Sequence, residues 1–589
     1  MAARNQANTV TALCRDAARG VWVRFTDPVR AVAAAVLPEV APALAAVERA
    51  VEEEGLCAAG FVAYEAAPAF DPALAARAPS ALPLLWFGLF GGHEESPALP
   101  AAAPGAQEEP AWAPSASPEE HARAVAAVRA EIREGNTYQV NYSYRLRARA
   151  PRDPWRYFLR LVEAQGPGHA AFLETGRWAV CSASPELFFR RDGERIESRP
   201  MKGTAARGRT LEEDRARAAA LRASEKERAE NTMIVDMVRN DLGRVSPPGS
   251  VAVEALCAVE KYPTLWQMTS TVTAKSAASL AELFSALFPP ASVTGAPKAS
   301  TMGIIARLEP APRGLYTGAV GFLLPGRRAH FNVAIRTVVV DREENRAEYG
   351  VGGGITWDSS PAAELEECRT KARVLARPRP PFSLLETLRW EPGPGYALLE
   401  RHLARLAASA EYFDIPLDPA RARRALADAA VRFAKAGQRV RLLLDRSGAL
   451  RVEAAPLAER RRGAPFRVAL AVSPVDASDP TLFHKTTDRR LYEAALAARP
   501  GYDDVLLYNT AGEVTESTLA NVALESGGIL WTPPVECGLL PGTLRAEMVA
   551  EGSLVERRVT VEEARGASSL YLLNSVRGIW PATLCTDRS

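Results

Sequence analysis

Two pairs of glutamates have the spacing of a divalent metal site. Glu227 and Glu230 stand three residues apart in SEKERAENTM, and Glu364 and Glu367 repeat that spacing in PAAELEECRT. On a helix, residues at i and i+3 share one face, so each pair would present two carboxylates together. Carboxylate oxygens are the ligands that Mg²⁺ takes from proteins, usually one or two with several waters retained. Two pairs converging on one cavity predict a magnesium site, although on spacing alone a solvated helix face is the more common outcome.

Two lysines also stand out as candidates for chemistry. Only eight of the 72 basic residues are lysines, yet Lys202 stands in SRPMKGTAARG between a Pro-Met step and a glycine. This choice over arginine suggests that an amine is required there. Lys485, the last lysine of the chain, stands in LFHKTTDRRLYEAAL just ahead of an amphipathic helix. Taken alone, a single lysine is more often exposed surface.

Helices with clear start signals are predicted to position these groups. Ser117 and Glu120 form a capping box for a helix that runs to about Gly135, and a strand follows it. Amphipathic helices over 224–242 and 360–375 would carry the two acid pairs. Alternating apolar residues between these helices predict strands, so the region belongs to the α/β class.

Two proline-rich stretches divide the chain. Residues 96–117 are rich in Ala, Pro and Ser, and residues 376–381 hold closely spaced prolines that prevent a helix from continuing. We therefore predict an N-terminal subdomain over 1–95, a catalytic α/β domain over 118–375 and an independent α/β domain over 382–589. A single core stops growing near ~250–300 residues, so several cores are expected in this chain.

The composition excludes several classes of protein. The net charge is +2 and arginines are interspersed with acids, so no basic stripe points to nucleic acid. No stretch approaches the ~20 apolar residues that span a bilayer, and the N-terminus has no apolar segment of signal-peptide length. Seven scattered cysteines show no spacing for disulfides or metal. We expect a soluble, cytoplasmic protein that acts on small molecules, without nucleic acid or membrane partners.

Eight ordered motifs between residues 120 and 375 resemble those of the chorismate-utilising enzymes. They are YQVNYS (138–143), SASPELFF (182–189), RPMKGTAARG (199–208), AENTMIVDMVRNDLGRV (229–245), SVTGAPK (292–298), RGLYTGAVGF (313–322), FNVAIRT (331–337) and VGGGITWDSSPAAELEECRTKA (351–372). The family includes anthranilate, isochorismate and aminodeoxychorismate synthases. The resemblance implies its fold, in which two large antiparallel sheets pack together with helices outside, an α+β arrangement.

The resemblance also implies a role for each charged group. Mg²⁺ bound by Glu230 and Glu367, with Glu227 and Glu364 acting through waters, would neutralise the ring carboxylate of chorismate. Glu186 matches the general acid that protonates the departing ring hydroxyl, which requires a raised pKa. The predicted substrate contacts, including those to the second carboxylate, are Arg336, Thr337, Gly352, Gly353, Gly354, Thr294 and Lys371.

Lys202 separates the branches of this family. The anthranilate and isochorismate branches usually carry alanine at this step, whereas aminodeoxychorismate synthases carry lysine, as in PMKGT here. A desolvated amine can lose its proton, attack the ring with loss of the C4 hydroxyl and then be displaced by ammonia at C4, whereas a guanidinium cannot lose its proton. The alternative is a buried lysine that pairs with a glutamate. Gln267 stands where the family often has histidine, and its amide cannot act as an acid or a base.

The C-terminal region resembles the class IV pyridoxal-phosphate enzymes, which have fold type IV. The motifs are FSLLETLRW (382–390), ERHLARLAASAEYFDIPL (400–417), RVRLLLDRSG (439–448), the stretch around Lys485, DDVLLYNTAGEVTESTLANV (503–522), GLLPGTLR (538–545) and LYLLNSVRG (570–578). The resemblance implies that Lys485 forms the Schiff base with pyridoxal 5′-phosphate and that Glu516 pairs with the pyridine nitrogen. It also implies that Arg405 and the main chain at Gly542 and Thr543 hold the phosphate.

Together the two resemblances imply a bifunctional route to 4-aminobenzoate, the folate precursor. Chorismate and ammonia would give 4-amino-4-deoxychorismate, and the class IV region would then eliminate pyruvate. Class IV motifs separate lyases poorly from branched-chain and D-amino-acid transaminases, so a transaminase is one alternative. An anthranilate or isochorismate synthase in the first half is another. The chain lacks the Gly-x-Cys-x-Gly turn of a class I glutaminase, so a separate glutaminase subunit is expected to supply ammonia. A homodimer through the C-terminal region is expected by family analogy alone.

Overall fold

A computed structural model describes residues 11–100, 110–376, 381–433, 436–457 and 465–585. Residues 101–109 of one predicted linker and residues 377–380 of the other lie outside the described residues. The chain divides into two compact units, Met1–Ala206 with Ala218–Pro378, and Arg207–Arg217 with Arg379–Ser589. No helix of the described residues is both long enough and apolar enough to cross a membrane.

The strands of the first unit form one antiparallel network. Hydrogen bonds connect its 18 described strands; β9, for example, pairs with both β10 and β16. The strands are β1 (Thr11–Asp16), β2 (Val21–Ala34), β3 (Cys57–Val62), β4 (Leu85–Ser96), β5 (Ala113–Pro114), β6 (Gln139–Arg149), β7 (Ala171–Glu174), β8 (Trp178–Ser182), β9 (Leu187–Asp192), β10 (Arg195–Arg199), β11 (Met201–Ala206), β12 (Ala252–Lys261), β13 (Leu265–Lys275), β14 (Gly295–Ala296), β15 (Ala319–Leu324), β16 (Arg328–Val333), β17 (Thr337–Asp341) and β18 (Arg346–Ile355).

Nine helices up to residue 376 accompany these strands in the described part of the chain. They are α1 (Leu37–Glu52), α2 (Ala67–Phe70), α3 (Pro118–Arg133), α4 (Pro154–Gln165), α5 (Leu211–Ala223), α6 (Glu225–Gly243), α7 (Leu280–Leu287), α8 (Lys298–Leu308) and α9 (Pro361–Ala372). The capping box predicted for α3 is confirmed, since the Ser117 side chain accepts from the Glu120 N–H and the Glu120 carboxylate accepts from the Ser117 N–H. The predicted helices that carry the acid pairs are α6 and α9.

A buried aromatic cluster lies between the sheet and the helices of the first unit. Phe188 and Phe189 of β9 meet Phe284 of α7 at ring-centroid distances of 5.8 and 5.6 Å. Phe331 of β16 approaches Phe284 edge-on at 5.2 Å. Such pairs add to the large apolar area that each ring buries. The cluster holds β9, and hence the SPE segment that precedes it, in a rigid setting.

The second unit combines a small antiparallel sheet with a larger mixed sheet. The strands are β19 (Leu384–Glu391), β20 (Gly395–Tyr396), β21 (Gln438–Leu444), β22 (Leu450–Pro456), β23 (Phe466–Leu470), β24 (Asp504–Tyr508), β25 (Val514–Ser517), β26 (Asn521–Ser526), β27 (Ile529–Thr532), β28 (Val555–Glu556), β29 (Ser569–Asn574) and β30 (Gly578–Cys585). The helices are α10 (Leu399–Tyr412), α11 (Pro419–Ala430), α12 (Arg490–Ala497), α13 (Thr543–Ala550) and α14 (Val561–Gly566). Parallel pairs such as β23 with β24 and with β30 make the larger sheet mixed, and the mixed α/β class is confirmed.

The second unit also includes Arg207–Arg217, which directly follows β11 in the chain. Within that unit Arg207 pairs with Asp214 at 2.8 Å and donates a hydrogen bond to the Tyr412 carbonyl at 2.9 Å. The Tyr412 hydroxyl donates to the Gly208 carbonyl at 2.7 Å. These bonds join a segment from the middle of the chain to α10.

Candidate active sites

The first cavity, of about 140 Å³, gathers most of the groups predicted for the chorismate region. The strand β11 carries Lys202, while α6 and α9 carry the two acid pairs. The predicted residues that line the cavity are Glu186, Lys202, Glu227, Glu230, Arg336, Gly352, Gly354, Glu364, Glu367 and Lys371. The fold therefore brings together side chains that are almost 190 positions apart in the sequence.

Buried polar side chains fix the two acid-bearing helices. Asn231, next to Glu230 on α6, donates to the Lys202 carbonyl at 3.1 Å and accepts from the Ser270 hydroxyl at 2.5 Å. On α9 the Ser359 hydroxyl donates to Glu364 at 2.6 Å. Satisfied buried networks of this kind hold one geometry because any break would leave a buried polar group unpaired. The carboxylates are thus set in place relative to Lys202.

Three predicted contacts do not line this cavity. Thr294 is buried and donates to the Pro290 carbonyl at 3.2 Å. Thr337 donates to the Ser182 hydroxyl at 2.8 Å and lines a different cavity. Gly353 lies behind the wall, where a Cβ atom would come within 3.0 Å of a Glu364 carboxylate oxygen. Its lack of a side chain lets that carboxylate approach the backbone of β18.

Glu186 has the protonation behaviour expected of an acid. The side chain is 3% exposed, and burial raises its pKa to about 7. The Ser292 hydroxyl donates to its Oε1 atom at 2.5 Å, which opposes that rise because the bond favours the carboxylate. The group therefore exchanges a proton near neutral pH.

Lys202 is enclosed by the cavity walls. Burial lowers the pKa of its amine, while the Glu230 carboxylate acts in the opposite direction. Its Nζ atom lies where a Cβ on Gly354 would come within 2.8 Å. The glycine therefore makes room for the amine. A lysine with a lowered pKa holds a larger fraction of the neutral amine that can act as a nucleophile.

Lys371 is paired already within the cavity. Its amine lies 2.6 Å from Glu367 Oε1 and donates to the Gly352 carbonyl at 2.9 Å. Burial disfavours both charges, but the pairing raises the pKa of Lys371 and lowers that of Glu367. Arg336, which has a left-handed φ of 52°, donates to the Lys371 carbonyl. The pairing with Glu367 thus favours the charged form of Lys371, whereas burial favours the neutral form of Lys202.

A cavity of about 350 Å³ in the second unit gathers the groups predicted there. Lys485, Glu516, Arg405, Gly542 and Thr543 all line it. Burial lowers the pKa of Lys485 to about 8. Burial also raises the pKa of Glu516 to about 7. These shifts place a reactive amine and a buried acid in one enclosed space.

Arg405 is fixed by a buried carboxylate. Both oxygens of Glu386 accept from its guanidinium, at 2.9 and 2.6 Å. The His402 ring bonds the same carboxylate at 2.6 Å and Thr543 at 3.2 Å. Although burial acts to raise the pKa of Glu386, Arg405 and His402 lower it to about 2. These bonds therefore fix the orientation of the Arg405 guanidinium near the start of α13.

Gly542 precedes α13 in close contact with β26. A Cβ atom at this position would come within 1.9 Å of the Asn521 side-chain oxygen. Asn521 in turn donates to the Leu540 carbonyl at 2.9 Å and to Glu516 at 3.3 Å. The glycine thus lets the start of α13 pack beside the acid. The free N–H groups and the dipole at a helix start favour a phosphate.

Comparison with known proteins relates these sites to two families. Residues 11–377 match the family model for chorismate binding enzymes. The chain belongs to the chorismate binding enzyme family. Residues 383–585 match the model for class IV amino-transferases. We call the two regions the chorismate-binding domain and the class IV domain.

Relatives of the chorismate-binding domain come from two branches. The chain is 45% identical over 250 residues to an aminodeoxychorismate synthase of Streptomyces griseus, covering 42% of this chain and 34% of the relative. It is 42% identical over 259 residues to an anthranilate synthase component 1 of Haloarcula marismortui, covering 44% of this chain and 53% of the relative. The chain thus spans less than two thirds of either relative, and identity does not separate the branches.

A solved structure supports the fold of the chorismate-binding domain. Anthranilate synthase component I from Streptococcus pneumoniae superposes with a TM-score of 0.54 at 23% identity. The match covers 61% of this chain and 92% of that protein. It therefore shows that this domain has the fold of the family.

The glutamates of the chorismate-binding domain suit Mg²⁺ as an open site. Within the described ranges, no three His, Cys, Asp or Glu side chains form a ready metal cage. Oε2 of Glu364 is buried and has no hydrogen-bond partner. Because Mg²⁺ keeps most of its waters and takes few carboxylates, facing acid pairs fit it without a closed cage.

Sequence reasoning missed the side chains that support each site. In the chorismate-binding domain these include Ser292, Asn231 and Tyr316. In the class IV domain they are Glu386, His402 and Tyr492, whose hydroxyl donates to Glu516 at 2.8 Å. Several of these residues lie inside the recognised motifs, and that position could have marked them as site residues. No pattern in a single sequence, however, indicates that Ser292 contacts Glu186.

Sequence reasoning also missed four arginines in the class IV cavity. Besides Arg405, the cavity is lined by Arg439, Arg441, Arg489 and Arg577, and its acid is Glu516. Arg439 and Arg441 alternate along β21, so both face the cavity. This lining is strongly cationic and suits a substrate with more than one carboxylate.

Proposed function

We propose that the chain makes 4-aminobenzoate from chorismate in two steps. The observation that carries the first step is Lys202, a lysine with a lowered pKa in the same cavity as the acid Glu186 and four glutamates. This arrangement supports the aminodeoxychorismate branch, because anthranilate formation does not need a nucleophilic amine at this position. The observation that supports the second step is the cationic class IV cavity.

In the first step the cavity binds chorismate, a dianion. Glu230 and Glu367, with Glu227 and Glu364 in support, would hold Mg²⁺, which would supply positive charge for the ring carboxylate. The neutral Lys202 amine forms a bond to the ring as the C4–oxygen bond breaks, and Glu186 gives its proton to the hydroxyl, which leaves as water. Ammonia then bonds to C4 and the bond to Lys202 breaks. The product is 4-amino-4-deoxychorismate.

The nitrogen comes from a separate class I glutaminase subunit or from free ammonia. Lys202 must be neutral and Glu186 protonated for the same step. Burial shifts both pKa values toward those states, because it disfavours the charged form of each group. The charged Lys371 amine would meet the second carboxylate and would not compete for the role of nucleophile.

In the second step the class IV domain releases pyruvate from the aminated ring. When bound, pyridoxal phosphate would supply an electron sink. Lys485 would hold the cofactor and move the proton, Arg405 and the start of α13 would hold its phosphate, and Glu516 would pair with the pyridine nitrogen. Both carboxylates of the substrate would meet the additional arginines. This cationic lining favours the lyase over a branched-chain transaminase, which needs an apolar side-chain pocket, and the reconstitution below separates the lyase from a D-amino-acid transaminase.

One reconstitution tests both steps. The purified full chain receives chorismate, Mg²⁺, ammonium and pyridoxal phosphate, and products are separated by liquid chromatography. We expect 4-aminobenzoate and pyruvate in equal amounts. Anthranilate as the product would refute the first assignment. Accumulation of 4-amino-4-deoxychorismate, together with amino transfer to a 2-oxo acid, would show that the class IV domain is a transaminase.

A further inference from the structure

The chorismate-binding domain contains another cavity, of about 220 Å³, next to the first. It lies on one face of β6, β18, β17 and β8. Arg147 is paired with Glu348, and Glu348 with Val339, and directly paired residues point to the same face. Residues 80–82 and 311–316 supply the other walls. We call this space the arginine cavity.

A single aromatic ring divides the arginine cavity from the proposed chorismate site. Tyr316 and Gly350 line both cavities. A Cβ atom on Gly350 would come within 2.1 Å of the Tyr316 ring, so the ring rests directly on the glycine backbone. Any ligand that displaces Tyr316 from one side therefore changes the wall of the other cavity.

The loop that carries Tyr316 also contacts the acid side of the chorismate site. Arg313 donates to the Val293 carbonyl at 2.8 Å. Val293 follows Ser292, which bonds Glu186. Glu65 accepts from the Arg313 and Gly314 N–H groups at 2.6 and 2.8 Å, so the loop is held as a unit. A shift in this loop would reach both the wall and the acid.

The arginine cavity has a buried cation with one unpaired nitrogen. The Arg145 side chain is 1% exposed, and its terminal nitrogens donate to the Ser143 hydroxyl and to the Tyr144 and Pro312 carbonyls at 3.1–3.3 Å. Its Nε atom has no hydrogen-bond partner, and the carboxylates of Glu309 and Glu348 are 3.8 Å away. Glu309 is engaged more closely by Arg313, at 2.7 Å. An anion in the cavity would supply the close charged partner that Arg145 lacks.

The other walls combine apolar and paired charged side chains. Trp178, Leu82, Leu315 and Val339 line the cavity, and Arg346 lies exposed beside it. The carboxylates of Glu348 and Asp341, which also line it, are paired with Arg147 at 2.9 Å and with Arg177 at 2.8 Å. The cavity is larger than the 140 Å³ chorismate cavity, so it has room for one ring. An aromatic ring with a carboxylate would match both the apolar walls and Arg145.

We propose that the arginine cavity binds a monocyclic aromatic carboxylate and that this ligand controls the chorismate site through Tyr316. The natural ligand is 4-aminobenzoate, the end product, and this identification rests on the proposed function. Binding would shift the Tyr316 loop and slow amination, so the product would limit its own synthesis. The ligand would lie on the other side of the Tyr316 ring from the chorismate cavity, so it would not occupy the space of chorismate and its inhibition should not compete with chorismate.

Calorimetric titration of the full chain, loaded with pyridoxal phosphate, tests binding without turnover. The probes are 4-aminobenzoate, 2-aminobenzoate and cyclohexanecarboxylate. Val339→Phe fills the cavity and should weaken aromatic binding at this site at least tenfold, while Val253→Phe, the same change on β12 away from the cavities, should not. Equal binding by both variants would place the ligand elsewhere and refute the site. Equal binding of cyclohexanecarboxylate would refute the aromatic class.

A second variant covers the case in which Val339→Phe fails to fold. Arg346→Gln changes an exposed side chain beside the cavity and should weaken binding about two- to fivefold, as for a surface charge. Unchanged affinity in a folded Arg346→Gln protein would contradict an anionic ligand. In both variants thermal melting reports whether the fold is kept.

Steady-state kinetics test whether this ligand regulates the chorismate site. In the wild type 4-aminobenzoate should lower kcat for ammonia-dependent chorismate consumption without raising KM for chorismate, and Val339→Phe should resist it. Competitive inhibition, or none despite binding, would refute control through Tyr316. If the reconstitution yields another product, the proposed function fails, but the titration still decides whether the cavity binds aromatic carboxylates.

Discussion

Removal of the Ser292 hydroxyl should move the pH range in which the first step works. In Ser292→Ala the hydrogen bond to Glu186, 2.5 Å long in the structure, is lost. This bond stabilises the carboxylate, so its loss raises a pKa that burial has already raised to about 7. A hydrogen bond to a charged group contributes about 1.5–3 kcal/mol, and one pKa unit is ~1.4 kcal/mol, so the pKa should rise by about one to two units.

The sign of the effect follows from the role of Glu186 as an acid. Only the protonated form gives a proton to the leaving hydroxyl, so the fraction of protein able to act as the acid falls as the pH rises through this pKa. In the wild type about a tenth of the groups are protonated at pH 8, and in the variant at least about half should be. The comparison is made as the ratio of the variant rate to the wild-type rate, in which the ionisation of Lys202 largely cancels.

The assay is kcat for ammonia-dependent chorismate consumption between pH 6 and 9, with the concentration of unprotonated ammonia held constant. The ratio of the Ser292→Ala rate to the wild-type rate should rise about fivefold or more between pH 6 and pH 8. Ser276→Ala, which removes a buried hydroxyl bonded to the Val245 carbonyl, is the matched control, and its ratio to the wild type should not change with pH. A ratio for Ser292→Ala that stays constant or falls over this range would refute the role given to Glu186.

Three other changes probe the two sites. Lys202→Arg should reduce 4-amino-4-deoxychorismate formation by at least about a hundredfold, because a guanidinium stays protonated, while pyruvate release from added 4-amino-4-deoxychorismate continues. Glu364→Gln should raise the Mg²⁺ concentration for half-maximal rate about tenfold, and chelation of Mg²⁺ should stop the first step only. Glu386→Gln should weaken pyridoxal phosphate binding about tenfold in an absorbance titration, because Arg405 loses its charged partner.

Neighbouring acids provide controls for these substitutions. Glu366→Gln changes an exposed carboxylate on the same helix as Glu364 and should leave the Mg²⁺ dependence unchanged. Glu391→Gln changes the acid at the other end of the strand that carries Glu386 and should leave cofactor affinity unchanged. A loss of the same size in either control would mean that general destabilisation, not the proposed contact, explains the result.

Local chemistry made some elements predictable from the sequence. The capping box at Ser117 specifies where α3 begins because both of its bonds lie within four residues. The acid pairs lie on helices because the surrounding apolar spacing is helical. Motif resemblance added the site residues, and most of them share a cavity in the structure.

Predictions failed where a side-chain direction depends on distant packing. Arg336 has a φ of 52°, which interrupts the alternation of side chains before β17 begins at Thr337. As a result Arg336 reaches the chorismate cavity and Thr337 does not. The Ser292–Glu186 bond joins residues 106 positions apart, and no periodicity reports such a pair. The same holds for the arginines of the class IV cavity, whose convergence depends on the whole second unit.

The boundary near residue 380 separates the two halves of the sequence but not the two compact units. Arg207–Arg217 lie within the region that matches the chorismate binding model, yet they pack within the second unit. The His484 ring, one residue before Lys485, donates to the Arg209 carbonyl at 3.1 Å. A polypeptide that starts at residue 382 would therefore lack a hydrogen-bond acceptor beside Lys485. Exchanging either half for a free-standing homologue would require these eleven residues to be redesigned as well, because the second unit includes them in its packing.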